Sequence, residues 1–344
     1  LKKWSAYLVL GLVAFIACKE ERVLPDQNAE ADFEYIEVET PAGFPAIDYP
    51  MENRPTTERI ELGRLLFHDA RLSRDNTVSC ASCHLASHSF ADNEAQSVGV
   101  DGLRGDRNAP SLANVAYHPY FFMDGGVQTL ERQVIAPLDN VLEMDHDIVE
   151  VSDELAQDEL LNTLAQAAYG RNLDPFVLTR SIAAYERTLL SGDSPYDRYL
   201  QGDQFALTAE EKAGMELFFS ERTQCGSCHS GFLLTDFSFN NIGLEEEYLD
   251  KGRRRVSGDE SDNGKFKTPS LRNVALTAPY MHDGSLRTLE EVIDHFNSGG
   301  VDHDLKDDRI QQLNLTEEEQ SQLKAFLLAL TDKSFVTEAL TAGN

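Results

Sequence analysis

Two pentapeptides constrain this chain more than any other feature: CASCH at residues 80–84 and CGSCH at 225–229. They use four of its five cysteines, Cys80, Cys83, Cys225 and Cys228, and each ends on a histidine, His84 or His229. Two disulfides would account for the cysteines, but for neither the two-residue spacing nor the histidines. A structural zinc centre would need four ligands at each place. A dithiol redox pair needs no histidine and follows a strand, which neither segment does. Two thiols one helical turn apart can instead add to the two vinyl groups of one porphyrin, and the adjoining histidine then reaches its iron. The expectation is two covalently bound haem c groups, with His84 and His229 as proximal iron ligands.

The surrounding sequence repeats as well. PSLANVAYHPYFFMDGGVQTLE, from Pro110, aligns without a gap on PSLRNVALTAPYMHDGSLRTLE, from Pro269. Asp124 falls on Asp283 and Leu130 on Leu289, which reads as an internal duplication. Helix-spaced apolar positions recur in TTERIELGRLLFHD, DELAQDELLNTLAQAAYG, DPFVLTRSIAAYERTLLSG, TAEEKAGMELFFSE and TEEEQSQLKAFLLALTD. Alternating strand patterns are missing. The expected fold is mainly α: two tandem cytochrome c-like haem domains, at 46–205 and 206–344.

Residues 1–17 read as a secretory signal: Lys2 and Lys3, then a short apolar run. Phe15-Ile16-Ala17-Cys18 resembles a bacterial lipobox, so Cys18 is the expected lipidation site. Residues 18–45 then form a lipidated tether, and the protein is expected in the periplasm, anchored to a membrane. A net charge of −29 argues against a nucleic-acid partner. It suits a basic partner, or simple solubility. The oligomeric state stays open, a homodimer included.

The two CxxCH motifs, each followed by P-S-L-x-N-V-A and a D-G, resemble the bacterial di-haem cytochrome c peroxidase family, which includes the MauG-type protein oxidases. The resemblance runs from about Pro45 to the C-terminal region. It implies that the first haem is the peroxidatic site and that the second relays electrons from a small cytochrome c or copper-protein donor to hydrogen peroxide. The family's distal Gln and Glu, ten residues apart, match Gln133 and Glu143. Where some members carry a histidine that caps the first iron at rest, eight residues before N-x-P, this chain has Val100. An open first iron follows. His88, taken as lying on one helix with His84, would share its haem face and is read as structural or surface.

On the second haem the family places Met or Tyr fourteen residues after the histidine of PYMHDG, and here that residue is Phe296. Either this iron is also open, or His295 or His303 substitutes. The resemblance further implies a calcium ion held by Asn108 and by Thr277 and Pro279 of a T-x-P. The only tryptophan, Trp4, lies in the leader, and Met123 stands where the family's W-D-G has one. That lowers the MauG-like oxidase alternative; Tyr117, Tyr120 or Tyr280 would have to relay instead. The third alternative is a di-haem electron carrier without chemistry of its own.

Overall fold

Helix-spaced runs become helices here wherever a side chain can satisfy their first amides. The computed structural model describes residues 33–342. The expected signal, Cys18 and the tether as far as residue 32 lie outside the described residues. Helix α1 (Thr57–Phe67) opens on Thr56, whose side chain accepts the Arg59 N–H. CASC itself forms the one-turn α2 (Cys80–Cys83), started by a Ser79–Ser82 capping box. The short α3 (Leu130–Gln133) and α4 (Ile135–Asp139) follow the first repeat segment.

The run from Asp153 to Gly170, expected as one helix, is divided between α5 (Ile148–Leu155) and α6 (Glu159–Tyr169). Asp158 divides it: its carboxylate accepts the N–H groups of Leu160 and Leu161 and starts a new helix. Next come α7 (Pro175–Glu186), with Asp174 as cap and proline at its first position, and α8 (Pro195–Leu200). Helix α9 (Ala209–Phe218) begins with a Thr208–Glu211 capping box. The second pentapeptide makes only a 3-10 turn, Cys225–Ser227. Short α10 (Arg254–Ser257), then α11 (Leu289–Ser298), α12 (Glu317–Leu328) and α13 (Lys333–Ala342) complete the chain. The named strands among the described residues, β1 (Phe239–Asn240) and β2 (Phe266–Lys267), pair antiparallel with Phe239 opposite Lys267.

Two helix crossings organise the core, and each turns on a glycine. A Cβ on Gly63 of α1 would lie 1.8 Å from the Ser181 carbonyl oxygen of α7; on Gly214 of α9 it would lie 1.8 Å from that of Gln322 of α12. Around the first crossing Leu62, Leu66, Phe67, Leu178 and Ile182 are buried; around the second, Phe218, Leu323, Phe326 and Leu327. The cores change over between Leu189 and Tyr196, and Phe335 of α13 returns to the first.

A buried polar hub joins the halves. Asn114 and Asn273, matching residues of the repeat, both adopt left-handed backbone. Asn114 exchanges two 2.9 Å hydrogen bonds with the Ser191 backbone. Asn273 donates to the Ser191 hydroxyl and accepts the Asp332 N–H. The Asp332 carboxylate accepts from the Ser191 hydroxyl and from the N–H groups of Gly192, Asp193 and Phe335.

Candidate active site

Each pentapeptide histidine is oriented through its inner ring nitrogen. His84 Nδ1 lies 2.8 Å from the Phe90 carbonyl oxygen, and His229 Nδ1 lies 3.1 Å from that of Leu234. A carbonyl can only accept, so Nδ1 carries the proton and Nε2 keeps a lone pair, the state an iron ligand needs. Burial lowers the pKa of both imidazoles and favours that neutral form. Cys80, Cys83, Cys225 and Cys228 form no disulfide. Burial, and after it the Glu186 carboxyl, push the Cys80 thiol far up; burial pushes Cys83 up to about 11. Thiols held neutral, spaced C-x-x-C and adjoining an oriented imidazole fit a covalent haem at both places. His88 is not on one helix with His84: α2 ends at Cys83, and His88 closes a separate 3-10 turn, bonded to Ser87.

Gln133 and Glu143 sit on one folded-back segment. Helix α3 ends on Gln133, and the turn after α4 is pinned by the Glu143 and Asp145 N–H groups, both donating to the Asn140 carbonyl. Asn140 Nδ2 donates to Glu143 Oε1 at 2.7 Å. Burial raises the pKa of Glu143, the Asn140 hydrogen bond opposes the rise, and Asp106 adds to it. Val100 is fully buried, and its N–H donates to the Glu143 carbonyl at 2.9 Å. Gly99 permits that approach, since a Cβ there would stand 2.2 Å from the Leu142 carbonyl oxygen.

Asn108 reaches across the molecule. Its N–H donates to the His282 carbonyl and its Nδ2 to the Glu94 carbonyl. Its Oδ1 takes no hydrogen bond among the described residues, nor do the Thr277 and Pro279 carbonyls. On α11, Phe296 shares the face of buried Leu289 and Ile293, whereas His295 Nε2 bonds the Ile242 carbonyl at 3.1 Å. His303 Nδ1 accepts the Leu305 N–H at 3.0 Å and faces Asn241 Nδ2 at 3.3 Å, so the neutral ring carries its proton on Nε2.

In the seam between the halves, Arg107 and Lys267 escaped sequence reasoning, because no motif marks them. Arg107 pairs with both Asp124 and Asp250, and Lys267 donates through its N–H to the Met123 carbonyl and through Nζ to that of Tyr120. Burial lowers the Lys267 pKa to about 8. Tyr120 stacks on Phe239 at 5.2 Å and donates its hydroxyl to the Phe237 carbonyl. Buried Glu186 has an unpartnered Oε2, and burial raises its pKa to about 8.

The helical fold and the two oriented C-x-x-C-H sites define a c-type cytochrome with two haems. The sequence profile described as di-haem cytochrome c peroxidase matches residues 57–205. The chain is 33% identical over 287 residues to the methylamine utilization protein MauG of Methylophilus methylotrophus, covering 83% of this chain and 86% of that one. It is 33% identical over 276 residues to the cytochrome c551 peroxidase of Pseudomonas aeruginosa, covering 76% and 79%. Among solved structures it resembles a MauG-like protein associated with microbial copper homeostasis, with TM-score 0.82, 36% identity, and coverage of 86% and 95%. The chain belongs to the di-haem cytochrome c peroxidase family, and its haem c groups are covalently bound.

Proposed function

We propose that the protein is a periplasmic di-haem cytochrome c peroxidase, reducing hydrogen peroxide to two waters with two electrons and two protons. A small cytochrome c or copper protein supplies the electrons. The observation that carries this reading is the Val100–Glu143 pairing. A buried, non-ligating residue stands where a capping histidine would be, and it holds the backbone of a carboxyl whose pKa burial has raised.

Cys80, Cys83 and His84 would hold the peroxidatic haem, and Cys225, Cys228 and His229 the haem that relays electrons. Bound at the first site, the haem would supply the iron chemistry that breaks the peroxide O–O bond. Glu143 takes the proton from the nearer peroxide oxygen and returns it to the farther one, work that suits a carboxyl with a raised pKa. The Gln133 side-chain amide steadies the charge that develops between the oxygens. A haem held by Cys225, Cys228 and His229 would meet in Phe296, at the family's ligand position, a side chain that cannot bind iron, while His295 and His303 are engaged with Ile242 and Leu305. The Asn108, Thr277 and Pro279 oxygens, unclaimed by described donors, suit calcium. The matching glycine crossings and the Asn114–Asn273 pair support two haem domains that arose by duplication.

The test is oxidation of reduced small cytochrome c by hydrogen peroxide, with both haems ferric at the start and calcium present. Turnover without pre-reduction is expected, and Glu143→Gln should lower it by about 10²-fold or more at unchanged Soret absorbance. Electron paramagnetic resonance of the same ferric samples should show both irons high-spin. Full activity in Glu143→Gln would remove that residue from the mechanism. A wild-type protein silent even after one-electron reduction would shift the reading to an oxidase or a carrier.

A further inference from the structure

Away from the pentapeptides, three ligating side chains converge: Glu245, His282 and Asp283, with one ligand atom from each lying within 4.8 Å of the others. His282 is only 8% exposed, yet neither ring nitrogen makes a hydrogen bond among the described residues. Its Nε2 stands 3.5 Å from Glu245 Oε1. Phe266 stacks on the ring at 3.9 Å and 17°, which fixes its plane. A ring so fixed holds Nε2 toward the Glu245 carboxylate.

Charge points the same way. Asp283 uses one oxygen to accept the Ser285 N–H. Arg107, whose charge acts on His282, is already committed to Asp250 and Asp124. The trio therefore concentrates negative charge beside the His282 imidazole.

We propose that Glu245, His282 and Asp283 bind one divalent metal ion of the zinc type. Four ligands at zinc bond lengths near 2.1 Å make a tetrahedron with edges of about 3.4 Å, close to the Glu245–His282 separation. One imidazole and two carboxylates suit zinc better than calcium, which takes oxygen ligands. The half-exposed Glu245 side leaves room for a water as fourth ligand. The ion would tie the loop bearing Glu245 to the turn bearing His282, whose carbonyl already receives the Asn108 N–H. It is distinct from the all-oxygen calcium set of Asn108, Thr277 and Pro279, and does not depend on peroxidase activity.

The test is calorimetric titration of zinc chloride into the two-haem protein, stripped with a chelator and then resupplied with calcium. One zinc per chain is expected. Glu245→Gln and Asp283→Asn should each weaken binding by about tenfold or more, since losing even an outer-shell partner reaches that. His282→Ala should abolish it, and His88→Ala, at a surface histidine, should leave it unchanged. Circular dichroism and Soret absorbance confirm that each variant folds. Equal zinc affinity in wild type and all variants would overturn the proposal, as would displacement of the zinc by equimolar calcium.

Discussion

Asn140 decides how far burial raises the Glu143 carboxyl. Its 2.7 Å hydrogen bond favours the ionised form against desolvation and the nearby Asp106. Asn140→Ala removes that support, so the Glu143 pKa rises further. A base works only when ionised, so the acid limb of the peroxidase pH profile should move to higher pH. Turnover measured across mildly acidic buffers checks this, and an unmoved limb would mean that Glu143 does not set it. At this scale the sequence is most legible where chemistry is local, as in C-x-x-C-H, where the thiols and the imidazole adjoin. The one-helix premise for His88 differs, because the chain past Cys83 turns at Leu85–Phe90, the turn that also supplies the carbonyl for His84, while the surface reading of His88 is unaffected.

Helix pairs, rather than single helices, hold the haem segments in place. An α-helix can approach another this closely only where a side chain is missing, and Gly63 and Gly214 are those places. In Gly214→Ala the added methyl would drive against the Gln322 backbone and force α9 and α12 apart. We expect a loss of roughly 1–3 kcal/mol, the usual range for overpacking, seen as a lower thermal midpoint. Gly63→Ala should behave alike at α1 and α7. A neutral effect at both would mean that the crossings can spread at no cost. The amphipathic runs were visible in sequence, but the break at Asp158 was not. A carboxylate five residues into that run reads as solvated until the Leu160 and Leu161 amides turn toward it.

Across the whole molecule, Asp332 is the residue on which the two halves meet. Burial works to raise its pKa, but donors from Ser334, Asp193, Phe335 and Ser191 outweigh burial, and the net shift is downward. A carboxyl lowered on folding stabilises the fold above its unfolded pKa and loses that contribution as pH falls through the folded value. Acid should therefore loosen the joint between the halves below the ordinary carboxylate range, and Asp332→Asn should flatten that pH dependence of stability. Asp332→Ala strands several buried donors at once and should cost about 3 kcal/mol or more. Urea unfolding at neutral and acid pH measures both effects, and an unchanged acid slope in Asp332→Asn would assign the acid sensitivity elsewhere.

By itself the sequence carried the two C-x-x-C-H pentapeptides, the helical class and the matched Pro110 and Pro269 segments. Each of these is carried by residues close together in the chain, whose spacing already encodes the chemistry. Only the tertiary structure decided that Val100 grips the backbone of Glu143, that one carboxylate at Asp332 locks both halves, and that Glu245 meets His282 and Asp283. Those groups stand far apart in sequence and are brought together by burial of the two helix crossings, so no local pattern announces them.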